Sequence, residues 1–463
     1  MSFISLEFVL LFLLCFTSYH FISDKGRKLV LLAASGVFIG YFNPAFLVTA
    51  LVVSLFTYGA AILIEQAREK GRGFRLIYWG GISCLVLCWI GFRYANRLTG
   101  DSGFIFPLGM SFYTFQAIGY LTEVYWEEEK AERRPIDFLL YMLLFMKFLS
   151  GPIERSADLL PQVRKLSPAS YSMMTYGLKL IVVGLVKKLV LADHIAPYID
   201  GVFSSMHTAS GVQLLMACLL YPIELYADFS GYTDMAIGIG MLFGLKLSSN
   251  FAHPFAAQTT AEFWRRWHIS LSSWVRDYLF LPLSSFIRRG QWGVAASLMV
   301  TFIALGVWHG AGWTFAVYGF IQGLVIVWEL RTERIRNKVR KHIGGRLFAT
   351  LSVIRTYLIF AVSLVFFKAQ SVSDAFYFLR NISFQTHASW KEINIGMSDH
   401  ICIVAGAALL LMLLYDYLMS KRNQHRRLER QPILLRWTIY YLIVFALFAY
   451  GKFGTENFIY LQF

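Results

Sequence analysis

The residue best suited to chemistry in this sequence is His309, which follows a largely apolar stretch from Leu298 to Trp308. Small residues flank it, with Gly306 before it and the run Gly-Ala-Gly directly after it. Ionisable side chains inside a membrane segment are rare and usually face a cavity or a pathway. A neutral imidazole can take a proton from a hydroxyl near neutral pH, so this position suits a general base. A structural histidine that bonds a neighbouring helix explains the same pattern equally well.

Metal ligation is a weak alternative at His309, because no second histidine follows it at the i+3 or i+4 position and no cysteine cluster lies near it. The five cysteines all lie in apolar stretches and are expected to be small buried side chains. The sequence therefore predicts neither a metal site nor a bound cofactor.

A second candidate segment, Glu262 to Tyr278, is rich in tryptophan and arginine. Helical spacing predicts that Trp264, Trp267, His268 and Leu271 share one face, with Arg265, Ser272 and Arg276 beside it. The pattern favours an amphipathic helix anchored at the membrane interface. In the functional alternative, an anionic donor binds to guanidinium groups, since these match phosphate oxygens. Those groups would belong to Arg265, Arg266 and Arg276.

Acidic residues next to apolar segments are expected to form structural ion pairs. Glu224, Asp228 and Asp234 are predicted to pair with arginine or lysine at positions 265, 266 or 246. Lys187 and Lys188 are predicted to extend their ammonium groups toward the interface from the end of a span.

The elements that hold these residues follow from composition. Hydrophobic residues make up 57% of the 463 residues and charged residues only 15%, against about 25% charged in a typical soluble domain. This balance excludes a soluble enzyme and a disordered chain, and it predicts an all-α polytopic membrane protein. Because one span needs about 20 apolar residues, about eleven spans are expected, at residues 3–22, 44–64, 76–92, 136–153, 172–192, 211–227, 294–312, 314–330, 347–367, 401–419 and 433–450. Segments 28–42, 104–121 and 229–247 are predicted to be half-spans or re-entrant pieces.

The net charge of +15 is explained by basic loops rather than by nucleic acid binding. Cytoplasmic loops are enriched in lysine and arginine, which set orientation and meet anionic lipid. Placing the basic runs inside predicts that both termini lie outside and that a long external loop covers residues 368–400. The first apolar run is expected to be a span rather than a cleavable signal. We predict one membrane-embedded domain over residues 1–463. The basic runs lie at residues 25–28, 68–75, 288–289, 331–341 and 421–430.

At these residues the sequence resembles the membrane-bound O-acyltransferase (MBOAT) superfamily, in its bacterial alginate O-acetyltransferase branch. The two Trp-His pairs at 267–268 and 308–309 are the most specific part of the resemblance. Two positions depart from the branch: Ala227 stands where the branch often has an aromatic residue, and Ser284-Ser285 replace a common Gly-Gly. The second departure lies at the donor-side loop and leaves the donor open. The other matching segments are 107–116, 150–155, 228–234, 262–278, 306–318, 365–369 and 458–463.

The resemblance implies an MBOAT fold, with helices around a central funnel or tunnel in the bacterial cytoplasmic (inner) membrane. His309 would be the catalytic residue and His268 the second family histidine, on the cytoplasmic side. An acyl group, expected to be acetyl, would pass from a cytoplasmic thioester such as acetyl-CoA toward an envelope polysaccharide, often through an SGNH-type partner on the outer side. Candidates for donor-binding or supporting roles are Arg265, Arg266, Arg276, Trp267, Trp308, Asp228 and Asp234.

Two alternatives remain open at this stage. One keeps the fold and changes the chemistry to D-alanyl transfer from an acyl carrier protein to teichoic acid. The other is a non-catalytic polysaccharide export subunit, which would need no acyl donor.

Overall fold

The computed structural model describes residues 1–95, 106–287, 290–384, 389–394, 397–419 and 431–454. Within those ranges the chain is helical and contains no β-strand, which confirms the predicted all-α class. In chain order the helices are α1 (Leu6–Phe21), α2 (Asp24–Phe42), α3 (Pro44–Glu69), α4 (Phe74–Arg93), α5 (Met110–Trp126), α6 (Pro135–Leu143), α7 (Phe145–Phe148), α8 (Ser156–Arg164), α9 (Tyr171–Leu185), α10 (Asp193–Ser204), α11 (Gly211–Leu242), α12 (Thr260–Arg266), α13 (Ile269–Val275), α14 (Leu281–Phe286), α15 (Gly290–His309), α16 (Trp313–Arg331), α17 (Glu333–Ile343), α18 (Gly345–Lys368), α19 (Val372–Arg380), α20 (Trp390–Ile393), α21 (Asp399–Met419) and α22 (Ile433–Tyr450).

Eight helices of the described residues are long and apolar enough to cross a membrane, fewer than the eleven spans that hydropathy predicts. Three predicted spans account for the difference. The first appears as α1, which is apolar but has only 16 residues. The second, 136–153, is divided between α6 and α7. The third, 172–192, passes from α9 into π-helical turns over Val186–Ala192. The eight are α3, α4, α11, α15, α16, α18, α21 and α22.

Residues 229–247 do not form the separate half-span that their glycines suggest. Residues 229–242 are the last part of α11, a helix of 32 residues that contains Pro222, and residues 243–247 follow its end. The glycines serve close helix packing instead: a Cβ at Gly231 would lie 2.8 Å from the backbone oxygen of Gly184, and one at Gly238 would lie 2.5 Å from that of Gly177. Small residues allow membrane helices to approach to backbone contact. The other two predicted half-spans appear as α2 and α5, and residues 96–105 before α5 lie outside the described residues.

The chain divides into two compact units. Unit 1 comprises residues 1–183 and 232–249, and unit 2 comprises residues 184–231 and 250–454 within the described part. The interior of unit 1 is aromatic: Phe145 lies 6.1 Å from Phe8 and 6.0 Å from Phe243, ring centre to ring centre. It also buries Lys147, whose ammonium donates to the side-chain oxygen of Gln116 at 2.5 Å.

Unit 2 contains a helical hairpin of α15 and α16, closed by a short Gly-Ala-Gly connection. A Cβ at Gly306 would lie 2.2 Å from the backbone oxygen of Phe315, and one at Gly319 would lie 2.2 Å from that of Phe302. The two backbones therefore touch, and a larger side chain at either glycine would force them apart. This hairpin carries His309 at its turn.

Four sequence predictions remain predictions: the single domain, the funnel or tunnel, the inner-membrane location and the outward termini. The basic runs 288–289 and 421–430 and the matching segment 458–463 lie outside the described residues. Part of the predicted external loop 368–400 lies outside them as well.

Candidate active site around His309 and His268

His309 is the last residue of α15 and is 6% exposed. Its imidazole is surrounded by aromatic rings, with centre-to-centre distances of 4.6 Å to Trp308, 5.1 Å to Phe367 and 6.4 Å to Tyr318. The connection that follows His309 is tightly packed, because a Cβ at Gly310 would lie 2.1 Å from the ring of Phe315. The histidine thus lies among uncharged rings, and its backbone is fixed by the hairpin.

His268 lies between two helices rather than inside one. Helix α12 ends at Arg266, Trp267 is extended, and His268 adopts the left-handed conformation with φ 44° and ψ 55° before α13 begins. Residues other than glycine rarely adopt this conformation, and such strain tends to occur at functional sites. The predicted continuous helix with Trp264, Trp267, His268 and Leu271 on one face is therefore wrong.

The residues after Ser249 hold this turn. The backbone oxygen of Asn250 accepts from the N–H of Ile269 at 2.9 Å, and its side-chain oxygen accepts from Ser270. The N–H of Ala252 donates to the backbone oxygen of Arg266 at 3.0 Å. A short paired segment on both sides of His268 thus offsets the cost of its conformation.

The ring of His268 is 1% exposed and lies edge-on to Phe229 at 4.7 Å. Burial holds the pKa of His268 well below its ordinary value, and the charge of His309 lowers it further. Burial disfavours the charged form of a histidine, and so does a neighbouring positive charge. His268 is therefore a neutral imidazole at neutral pH, within electrostatic range of His309.

The tryptophan before each histidine has a different environment. Trp267 is buried and stacks on Phe263 at 5.4 Å, with Phe251 and Phe360 each 5.1 Å away. Trp308 is half-buried and contacts His309 itself. Trp267 thus anchors the turn at His268, whereas Trp308 forms part of the wall around His309.

The three arginines proposed for an anionic donor differ in how far they are already neutralised. Arg266 pairs with Glu262 at 2.6 Å, and Arg276 pairs with Asp277 through two bonds of 2.7 and 3.2 Å. Arg265 is exposed and makes no ion pair among the residues that the structure describes. Of the three, Arg265 has the guanidinium most available to an anion.

Of the acidic candidates, Asp228 pairs with a lysine other than the cations that the sequence suggests. Asp228 is buried and binds the ammonium of Lys188 at 2.6 Å, and Lys188 also binds Asp193 at 2.9 Å. Lys188 is therefore a buried ion-pair residue, and the prediction that it extends toward the interface is wrong. Asp234 belongs to unit 1, where it interacts electrostatically with Tyr176.

Sequence reasoning missed two polar residues of α16 that hold α12. Gln322 accepts a hydrogen bond from the indole of Trp264 at 2.9 Å, and the carboxylate of Glu329 accepts from the backbone N–H of Thr260 at 2.9 Å. Arg355 of α18 pairs with the same carboxylate at 2.8 Å. The sequence did contain a signal for these contacts. A glutamine and a glutamate occur inside an apolar helix, and buried polar groups need hydrogen-bond partners.

No group of three or more histidine, cysteine, aspartate or glutamate side chains could hold a metal ion in the described part of the chain. The side chains described around His309 can contribute proton transfer and hydrogen bonding by imidazole, together with exclusion of water by aromatic rings.

Comparison with known proteins gives consistent results. The sequence model of the membrane-bound O-acyltransferase family matches residues 128–367. The probable alginate O-acetylase AlgI of Azotobacter vinelandii is 33% identical over 394 residues, covering 81% of this chain and 76% of that protein. The peptidoglycan O-acetyltransferase of Helicobacter pylori is 28% identical over 476 residues, covering 90% and 89%. The teichoic acid D-alanyltransferase of Streptococcus thermophilus is 29% identical over 263 residues, covering 53% and 63%.

Proposed function

Since this chain belongs to the membrane-bound O-acyltransferase family and is an O-acyltransferase, we propose that it moves an acetyl group from cytoplasmic acetyl-CoA toward a cell-envelope polysaccharide. The observation that carries the proposal is the burial of His309 among uncharged rings at the turn of a rigid hairpin, with neutral His268 in electrostatic range. Membership of an enzyme family argues against the non-catalytic export subunit.

One observation favours acetyl over D-alanyl transfer. The O-acetyltransferase relatives align over 81% and 90% of this chain, whereas the D-alanyltransferase aligns over 53%.

In the proposed reaction His309 acts as general base on an acceptor hydroxyl. The imidazole takes the hydroxyl proton while the oxygen attacks the thioester carbonyl carbon. The C–O bond forms, the C–S bond breaks, and the imidazolium returns the proton to the leaving thiolate. Such assistance typically contributes about 10²–10⁴-fold in rate. The aromatic surroundings exclude water, which would otherwise compete as acceptor.

Neutral His268 supplies a hydrogen-bond donor in this scheme. Its N–H would stabilise the negative charge that develops on the thioester oxygen, as preorganised donors do in acyl transfer. A cationic imidazolium at this position would repel the imidazolium that forms on His309. The depressed pKa of His268 avoids that conflict.

On the cytoplasmic side Arg265 would bind the phosphates of CoA. On the outer side we propose that an SGNH-type partner passes the acetyl group to the polysaccharide. The enzyme would lie in the bacterial inner membrane with both termini outside. The donor would approach from the cytoplasmic face and the partner from the outer face. Alginate and peptidoglycan, the polymers in the names of the relatives, are the acceptors to examine first.

The test compares His309→Ala with His342→Ala in cells whose own copy of the protein has been deleted. His342 is an exposed histidine of α17 and serves as the matched control. Mass spectrometry of the envelope polysaccharide should show acetyl esters with the wild type and His342→Ala, and none with His309→Ala at equal protein level. Normal acetylation by His309→Ala would remove His309 from the mechanism. Detection of D-alanyl esters in place of acetyl esters would show that acetyl-CoA is not the donor.

A further inference from the structure

Gln322 lies in the middle of the apolar helix α16, is fully buried, and takes no part in the reaction proposed above. Both ends of its amide are used. The oxygen accepts the indole N–H of Trp264 at 2.9 Å, and the nitrogen donates to the hydroxyl of Ser363 at 2.7 Å. Burying an amide costs free energy unless both ends are bonded. The amide is therefore a cross-link between α12 and α18 through α16.

Each partner of Gln322 leads to one side of the candidate site. Trp264 lies four residues before His268. Its ring centre is 5.4 Å from that of Phe302, which lies two turns before His309 on α15. On α18, Ser363 lies four residues before Phe367, whose ring contacts His309. Gln322 thus joins the segment that carries His268 to helices that surround His309.

A separate contact already fastens α12 to the same helices. Two turns further along α16, Glu329 accepts the backbone N–H of Thr260 and pairs with Arg355 of α18. That contact fixes the first residue of α12, which is farther from His268 in the sequence than Trp264. The link through Trp264 fixes the end of α12 that leads into the turn at His268.

We propose that Gln322 is a positioning residue that sets the placement of His268 relative to His309 for acyl transfer. The inference rests on the proposed function, because it assumes that both imidazoles act on the thioester. Misplacement of a reacting group by about 1 Å can cost about 10²-fold in rate. A lost cross-link should therefore lower kcat more than it changes donor binding, which takes place at exposed groups such as Arg265.

The experiment uses the full-length protein in lipid nanodiscs with radiolabelled acetyl-CoA, and it measures kcat, the KM for acetyl-CoA and the thermal unfolding temperature. Gln322→Leu keeps the side-chain volume and removes both hydrogen bonds. We expect its kcat to fall by at least about 10-fold while the KM stays within about 2-fold. A wild-type kcat in Gln322→Leu would overturn the proposal, and so would a rise in KM without a fall in kcat.

A matched pair of serines separates the cross-link from the simple loss of a buried hydroxyl. Ser363 and Ser297 are both fully buried, and each donates to a backbone oxygen of its own helix, at 2.7 and 2.8 Å. Ser363 also accepts from Gln322. Ser363→Ala should therefore lower kcat and Ser297→Ala should not. Equal effects of the two substitutions would count against the cross-link.

A double-mutant cycle covers the case in which Gln322→Leu does not accumulate. Trp264→Phe keeps one aromatic ring, reduces the side-chain volume and removes the N–H, so it should lower kcat alone and add little to Ser363→Ala if both act through Gln322. Fully additive effects would overturn the proposal.

The His309→Ala variant distinguishes failure of the proposed function from failure of the positioning role. If His309→Ala still transfers acetyl, the proposed function is wrong. If His309→Ala is inactive while Gln322→Leu, Trp264→Phe and Ser363→Ala all keep full kcat, only the positioning role is wrong.

Discussion

The side-chain oxygen of Asn250 accepts two hydrogen bonds from Ser270, one from the backbone N–H at 3.2 Å and one from the hydroxyl at 2.6 Å. Both residues are buried, and His268 lies two residues before Ser270. The pair therefore holds the turn in which the histidine adopts its left-handed conformation.

Replacing Asn250 should loosen that turn. Asn250→Leu keeps the branched shape of the side chain and leaves the N–H of Ser270 without an acceptor, which costs about 1–3 kcal/mol when the group is buried. We expect a lower unfolding temperature in detergent and a lower rate of acetyl transfer. Ser270→Ala removes only one of the two bonds and should have a smaller effect on both. Wild-type stability and rate in Asn250→Leu would show that the turn does not depend on this pair.

The buried neutral state of His268 predicts a dependence of stability on pH. Its pKa in the folded protein is depressed, whereas in the unfolded chain it is about 6.5. Between these two values the unfolded chain binds a proton that the folded protein does not, so the free energy of unfolding falls as the pH drops below about 6.5. The contribution is at most about 1.4 kcal/mol per pH unit.

Thermal unfolding is measured for the wild type and for His268→Gln over about pH 5 to 8, the range in which histidine titrates. Comparison of the two proteins separates the effect of His268 from that of other titrating groups. The difference in unfolding temperature between the two proteins should change with pH below about 6.5 and stay constant above it. A constant difference over the whole range would mean that His268 is not held neutral by burial.

The ion pairs of Lys188 predict a strong effect on folding rather than on chemistry. Lys188→Met would remove the ammonium that the buried carboxylates of Asp228 and Asp193 bind, and breaking a buried ion pair costs about 3–5 kcal/mol. We expect little folded protein by size-exclusion chromatography of a fluorescent fusion, and partial recovery when Asp228→Asn is added. Lys338→Met, at an exposed lysine of α17, is the control. Normal accumulation of Lys188→Met would contradict the structural role.

Among the arginines, Arg265 should matter most for the donor. Its guanidinium is exposed and makes no ion pair among the described residues. An exposed charge pair contributes up to about 1 kcal/mol, so Arg265→Ala should raise the KM for acetyl-CoA about threefold to fivefold. Arg276→Ala should raise it less, because Asp277 already pairs with Arg276. Added salt should reduce the difference, and equal KM values at low salt would remove Arg265 from donor binding.

The sequence predicted the features that depend on hydropathy and on rare residues in apolar surroundings. Long apolar runs identified α3, α15, α16 and α18 closely, because a membrane span is defined by its own composition. His309 was chosen as a candidate for the same reason, since a histidine after an apolar run of this length is unusual, and its catalytic role stays a prediction. Its position as the last residue of α15 agrees with its predicted place at the end of a span.

The features that the sequence did not reveal depend on contacts between distant residues. The helix break at Trp267 and His268 follows from pairing with residues 250–252, and helical periodicity carries no information on that pairing. Lys188 finds its partner Asp228 forty residues later, and Trp264 finds Gln322 fifty-eight residues later. Local patterns indicate that such polar groups need partners, but they do not indicate which ones.

The backbone contact between α15 and α16 also bears on how the enzyme would cycle. Transporters expose a central site to each face in turn by moving one group of helices against another. With Gly306 and Gly319 in contact with the facing backbone, α15 and α16 would have to move together, so His309 would keep its place relative to α16 in any such motion. Exposure of His309 to another face would then require the whole hairpin to move against its neighbours, and not one of its helices against the other.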